Sequence, residues 1–380
     1  MSVVATEAPR TPSPSGARAA SRLAPLDALR GIAIAWVAIY HFCSFWAPSG
    51  AGDAVLPYGD LLAWMPFSSV GYLGVTLFFM ISGFVILMTL ERTATIGNFA
   101  VRRIARIWPT LALCGCLTWM IAWAIGPDQF KANPIEFFLS ILAFPPQYIG
   151  DQIGQPEWAW LDGAYWSLWV EIRFYAVIGV CFFVLRSRWM MAWFSFQAIC
   201  ALLMLAYWVT GNGAFEKLGS LLFFKDVVYF SIGVIAYKAY SEGAFSTSMK
   251  VALAFCAVHA VATVLILNSG ALMGIEFFVA YAAIFVLFGA ALWSDSFKKM
   301  LSWSPLVQIG RASYSFYLLH QVIGLSIMYW AGQFMPGWAV AAFVLPTTLA
   351  VLLVASRIIF TRYEQPLNRS IVRLQMQSAR

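Results

Sequence analysis

The chain has 380 residues, of which 61% are hydrophobic and 11% charged, with a net charge of +7 and a mean hydropathy of +0.77. A soluble globular protein carries about 25% charged residues, so this composition excludes one. Apolar runs of roughly 18 to 22 residues are each long enough for a helix to cross a hydrocarbon layer of ~30 Å, and the short alternating segments of a β-barrel are not visible.

The expected fold is therefore all-α, a polytopic transmembrane helical bundle. Residues 1–25, rich in Ala, Pro, Ser and Arg without apolar periodicity, read as a disordered cytoplasmic tail. The first apolar run is too long and too polar near its end for a cleaved signal peptide, which favours an uncleaved signal-anchor. A transmembrane domain follows over 26–366, with spans expected at 29–47, 70–90, 108–126, 165–185, 189–210, 219–240, 249–268, 273–293, 312–332 and 338–360. Residues 367–380 form a basic tail. With ten spans, Arg10, Arg18 and Arg22, the cluster Arg92 to Arg106, Arg186 and Arg188, Lys298 and Lys299, and Arg362 to Arg380 all fall on one side. Positive residues stay on the cytoplasmic side, so both termini are expected there, and the basic excess signals topology rather than nucleic-acid binding. All six cysteines lie in apolar runs and read as small buried residues, not disulfides or metal ligands.

In the first span Arg30 and His41 are eleven residues apart, about three turns and roughly 16 Å of rise, which puts them near one face. With Arg30 at the cytoplasmic edge, His41 lies just past the midplane. An ionisable group at that depth is by default functional, the alternative being a structural histidine bonded to a neighbouring helix. Asp27 can pair with Arg30 across one turn. The fourth span carries Glu171 and Arg173, whose two-residue spacing gives them different partners. The ninth carries a polar stripe, Ser313, Tyr314, Tyr317 and His320. His320 is open to a catalytic, a substrate-contacting or a packing role, whereas His259 reads as structural. Ser82, beside Gly83, reads as a close-packing residue.

These segments resemble the integral-membrane family called acyltransferase type 3. "LDALRGIAIAWVAIYH" is similar to its opening motif, with Arg30 and His41 in the matching places. "GYLGVTLFFMISGFVI", "FAVRRIARIWP", "YWSLWVEIRFY", "YFSIGVIAY", "IGRASYSFYLLH" and "RYEQP" resemble the later blocks in family order over about 340 residues. Arg173 departs from a position where glutamine is common. The resemblance implies a multi-pass O-acyltransferase of a bacterial-type cytoplasmic (inner) membrane. It would move an acyl group, acetyl above all, from acyl-CoA to a hydroxyl of a carbohydrate or lipid-linked glycan, without a metal.

Acyl transfer needs a base, a bound donor and stabilisation of a developing oxyanion. His41 suits the base, because imidazole changes protonation near neutral pH, and Glu171 suits a group that orients it. Arg30, Arg102, Arg103 and Arg106 suit the phosphates of coenzyme A, although topology alone also predicts basic residues there. Tyr165, Trp166, Ser167, Arg173, Tyr314 and His320 are expected around the substrates. Lys225, Asp226, Glu276 and the tryptophans of the outer loop 127–164 either rim an acceptor cavity or sit at the membrane interface. Lipid is the remaining partner. A proton-coupled secondary transporter using the intramembrane Arg, His and Glu residues is the competing reading. It lacks the paired interrupted helices such carriers show. An inactive scaffold on the same fold is a third.

Overall fold

The computed structural model describes residues 14–267 and 274–378. Among them there is helix and no strand. The long helices are α1 (Pro14–Tyr40), α2 (Leu73–Leu90), α3 (Ile96–Ile125), α4 (Trp166–Leu185), α5 (Trp189–Thr210), α6 (Val227–Glu242), α7 (Thr247–Leu267), α8 (Ile275–Trp293), α9 (Ser313–Ala331), α10 (Leu345–Ile359) and α11 (Gln365–Ser378). The starts and stops follow local chemistry. The Thr95 hydroxyl accepts the Asn98 N–H at the head of α3, and Asn133 and Glu136 form a reciprocal capping box in the loop that follows. Gly211 and Gly243, at φ 64° and 72°, close α5 and α6 in the left-handed conformation that only glycine adopts without cost.

Seven stretches among the described residues are helical, long and apolar enough to cross a membrane, and one of them, Gly163–Thr210, contains both α4 and α5. Two expected spans are not among the seven. The segment read as 219–240 begins in a short helix, Gly213–Leu221, and continues as α6, which has only 16 residues. The segment read as 312–332 is α9, whose polar stripe lowers its hydropathy. These are also the most enclosed helices, with 12 of 16 residues of α6 and 15 of 19 of α9 buried. Helices shielded by their neighbours need not be apolar enough for lipid, and α9 uses that freedom to carry Ser, Tyr, His and Gln side chains.

The described parts of both ends are helical. Residues 14–25 already belong to α1, and most of 367–380 is helix α11. Ala, Arg and Leu favour a helix once it is extended from a long neighbour, and Pro14 suits a first helical position. The rest of the expected N-terminal tail, residues 1–13, and the ends of two spans at 268 and 273 lie outside the described residues. All six cysteines are free, and Cys116 is exposed rather than buried.

Close helix approach fixes the core. A Cβ on Gly83 of α2 would fall 2.1 Å from the Phe230 carbonyl oxygen, and one on Gly233 of α6 would fall 2.0 Å from that of Met80. Backbone meets backbone there, so an added side chain can be relieved only by separating the helices. Gly233→Val is expected to cost at least about 1–3 kcal/mol and to lower the Tm in detergent. Gly289→Ala on α8, where a Cβ meets nothing within 4 Å, is expected to leave the Tm unchanged or raise it. Likewise Gly310 lets the short helix Ser304–Arg311 lie against α1, where a Cβ would fall 1.6 Å from the Asp27 carbonyl oxygen.

Candidate active site

α1, α3 and the start of α9 meet around a cavity of about 770 Å³ at one end of the bundle. Arg30 (α1), Arg106 (α3), Arg311 and Arg357 line it against only two carboxylates, Asp27 and Glu364. Asp27 holds Arg30 at 3.2 Å and Arg311 at 3.3 Å, so the pairing expected from the sequence is present and extends to a second arginine. Glu364 accepts a hydrogen bond from Ser315 at 3.0 Å. Arg106 forms no ion pair within 4 Å among the described residues. Arg357 forms none either, so the cavity keeps an excess of positive charge, with two guanidiniums, Arg106 and Arg357, outside any ion pair among the described residues.

Arg30, Arg106, Ser313 and Tyr314 also line a second, narrow cavity of about 70 Å³ deeper in the bundle, together with Ser82, Ser167, Glu171 and Tyr317. Glu171 accepts from the Ser82 hydroxyl at 2.6 Å and from the Tyr175 hydroxyl. Its carboxylate thus stands beside the arginines, and it forms no hydrogen bond with His41. Arg173 points away, as its spacing predicts. It donates to the carbonyls of Trp169, Ser220 and Leu221 and lies 5.0 Å over the Trp169 ring.

The histidine that meets His41 is His320. α1 runs as an α-helix to Tyr40 and widens into a π-turn over His41–Phe45, a local departure common at functional sites. That turn sets the His41 ring 5.3 Å from the His320 ring, centroid to centroid. His320 Nδ1 lies 2.8 Å from the Tyr317 carbonyl oxygen. A carbonyl only accepts, so Nδ1 carries the proton and Nε2 keeps its lone pair. Nε2 of His320 and Nδ1 of His41 are both buried without a hydrogen-bond partner. Such orphaned nitrogens are costly in a core and are expected where a reacting group binds.

The loop ahead of α4 holds this part of α9 in place. Asp162 is fully buried and accepts the N–H of Ala164 at 2.9 Å and that of Val322 at 3.1 Å. Tyr165 donates to the Leu318 carbonyl at 3.0 Å, and the Tyr317 hydroxyl, 2.8 Å from Ser167, donates to the Ala164 carbonyl at 2.7 Å. His320 is thus bracketed on both sides by bonds from one loop. Burial pushes the Asp162 carboxyl up to about 7, against the pull of its two N–H donors. A pKa raised in the folded state makes the fold bind protons the unfolded chain has released. The Tm is therefore expected to fall as pH rises from about 4 through about 7, and in Asp162→Asn this slope should disappear. An unchanged slope in that variant would assign the titration to another group.

The remaining predicted residues separate. Tyr314 donates to the Ile107 carbonyl at 2.9 Å and lines both cavities. Trp166 is 42% exposed and packs edge-on against Phe79. Arg102 and Arg103 line neither cavity, and Arg103 instead lies 5.7 Å over the rings of Phe99 and Tyr175. His259 contacts Gln197 far from this site, consistent with a structural role. Sequence reasoning passed over Glu364, Arg311, Arg357 and Tyr175 and gave Ser82 a packing role. Glu364 stood in the quoted "RYEQP" block, and its acidic charge among so few carboxylates was the available signal.

Comparison with known proteins places the sequence in a family. The profile described as an acyltransferase domain, acyltransferase type 3, matches residues 23–357. The O-acetyltransferase OatA of Staphylococcus aureus (strain NCTC 8325 / PS 47) is 25% identical over 323 residues, covering 78% of this chain and 50% of OatA. The O-acetyl transferase of Shigella phage Sf6 is 27% identical over 118 residues, 30% of this chain and 35% of the phage protein. The chain thus spans half or less of the length of these curated relatives, and no solved structure matches it. An all-helical membrane protein with an arginine-lined cavity, and with motifs matched by one profile across most of its length, belongs to the acyltransferase type 3 family.

Proposed function

We propose that this chain is a multi-pass O-acyltransferase that takes an acyl group, acetyl in the first instance, from acyl-CoA and delivers it to a hydroxyl of a carbohydrate acceptor. The membrane is a bacterial-type cytoplasmic membrane, crossed ten times with both ends cytoplasmic, so the arginine-lined cavity opens where acyl-CoA is made. The observation that carries the reading is the contact between two imidazoles, His41 and His320, each with one buried nitrogen left without a hydrogen bond, with His320 one turn beyond Tyr317 of the inner cavity. Arg106 and Arg30 hold donor phosphates as charge-assisted bidentate contacts. His41 removes the proton from the acceptor hydroxyl, and the alkoxide attacks the thioester carbonyl. The tetrahedral intermediate then collapses, and the departing thiolate takes the proton back from the imidazolium. His320, with its tautomer fixed, accepts a hydrogen bond that orients this exchange. Glu171 offsets part of the charge of Arg30 and Arg106 in the inner cavity, a role in place of the direct contact with His41 expected from sequence. Hydroxyl-bearing glycans suit this chemistry, and the relatives named above are O-acetyltransferases.

The test uses full-length protein in nanodiscs with radiolabelled acetyl-CoA, comparing the parent with His41→Ala and Glu171→Gln. The reading expects acetyl release or transfer by the parent and its loss in His41→Ala while acetyl-CoA still binds. Full turnover in His41→Ala would remove the base, and a parent that neither binds nor turns over acetyl-CoA would overturn the donor.

A further inference from the structure

On the opposite face of α4 from the arginine cavities lies a third cavity, of about 410 Å³. This volume is within the range of small-ligand sites, which run from about 300 to 1,000 Å³. The geometry of α4 makes it a neighbour of the reaction site. Ser167, Leu168 and Glu171 face the narrow inner cavity, while Trp166, Trp169, Val170 and Arg173 face this one. The wall between them includes Trp166, whose ring meets that of Phe79 edge-on at 6.2 Å, and Phe79 lines the inner cavity. α3 leads away from the arginine end, so the loop that closes this cavity, with Gln147, Tyr148 and Trp160, belongs to the far end of the bundle.

Several of its polar groups make no hydrogen bond among the described residues. Trp169 Nε1, a donor, and Gln147 Oε1, an acceptor, are buried without partners. Asp226 supplies a carboxylate that makes no hydrogen bond among the described residues, although it precedes α6 and is free of any cap bond. Lys225 forms no ion pair with it. By contrast Arg173 is committed to three carbonyls. Exposed rings of Trp166 and Tyr148, 42% and 37% accessible, stand at the rim. Phe223 on the wall holds a left-handed backbone, φ 46°, which an aromatic residue adopts only when its surroundings impose it. Donors and acceptors without hydrogen bonds that line one cavity match hydroxyl groups, each of which donates and accepts, and the flat rings match the apolar faces of a sugar.

Building on the acyltransferase reading, we infer that this far-end cavity is the acceptor site and that it binds a neutral, hydroxyl-rich oligosaccharide through Trp169, Gln147 and Asp226 with ring stacking on Trp166. Donor and acceptor then approach α4 from opposite ends of the bundle, and the Trp166–Phe79 contact is where the acceptor hydroxyl passes toward the inner cavity. The site is distinct from an interfacial aromatic belt, because a belt residue keeps its N–H in the headgroup region rather than buried and unbonded.

The experiment applies labelled full-length protein in nanodiscs to an array of bacterial-surface oligosaccharides, including O-antigen, exopolysaccharide and peptidoglycan fragments. The strongest binder is then titrated against the parent, Trp169→Ala, Trp169→Phe and Asp226→Asn. The inference expects a carbohydrate ligand whose Kd rises at least tenfold in Trp169→Ala and Asp226→Asn. If Trp169→Ala does not fold, Trp169→Phe, which keeps the ring and loses the N–H, and Asp226→Asn decide. Equal affinity in the folded variants overturns the site, as does a parent that retains no oligosaccharide. Tighter binding of acidic than neutral sugars overturns the choice of a neutral ligand. Acetyl-CoA binding by the parent is measured in the same preparation. A parent that binds acetyl-CoA but no sugar sinks this inference alone, whereas one that binds no acetyl-CoA sinks the donor reading.

Discussion

Replacing His320 by alanine is expected to lower acetyl transfer by about 10²–10⁴-fold in protein that still folds and binds donor, the range for losing the general-base step that His320 orients. The reasoning is geometric. A histidine that merely filled space would not need its Nδ1 proton committed to a carbonyl while Nε2 is left buried and empty. Nor would a second imidazole lie 5.3 Å away with an empty nitrogen of its own. If the two rings act as one unit, His41→Ala, His320→Ala and the double variant should fall to nearly the same residual rate, because removing either breaks the same step. Multiplicative losses would mean two independent roles. A His320→Ala protein with parental kcat and a lowered Tm would mean that the ring only packs against Phe316 and Tyr317.

Arg106→Ala is expected to raise the KM for acetyl-CoA by about 10- to 100-fold with a smaller change in kcat, as befits the loss of charge-assisted hydrogen bonds worth about 1.5–3 kcal/mol. Arg106 is the clean test among the four arginines of the cavity, since Arg30 and Arg311 already share Asp27 and Arg357 does not reach the inner cavity that Arg106 also lines. Arg106→Lys should recover only part of the affinity, because an ammonium cannot reproduce a forked pair of bonds to a phosphate. Arg103→Ala serves as the contrast. Its guanidinium lies over Phe99 and Tyr175 rather than in a cavity, so the expected loss is of stability, with donor KM little changed. Equal KM effects at Arg103 and Arg106 would show that donor binding reaches beyond the cavity described.

Much of this protein was legible in its sequence. Composition alone required a helical membrane bundle, because so few charges cannot cover a soluble surface. Ordered motifs carried the family, and single residues such as Arg30, His41 and Glu171 stood out because an ionisable group is rare and costly in apolar surroundings. Spacing along one helix also read correctly. Arg30 meets Asp27 across one turn, and Glu171 and Arg173 face apart.

What only tertiary structure decided is which helices meet. His41 lies against His320, and Glu171 against Ser82, because backbone contacts at Gly83, Gly233 and Gly310 fix which helix faces come together. Glycine contributes no signal of its own to an apolar run, and no single-helix period records the partner across it. The polar stripe of α9 was visible, but its central place was not. The same is true of Asp162, an ordinary loop acid in sequence that becomes a buried clamp on α9 once the loop folds back over the bundle. The sequence by itself determined the class, the family and the isolated charges, because those depend on residue type and local period. The pairing of those charges into a site was decided by helix packing, because it depends on residues up to about 280 positions apart, as His41 and His320 are.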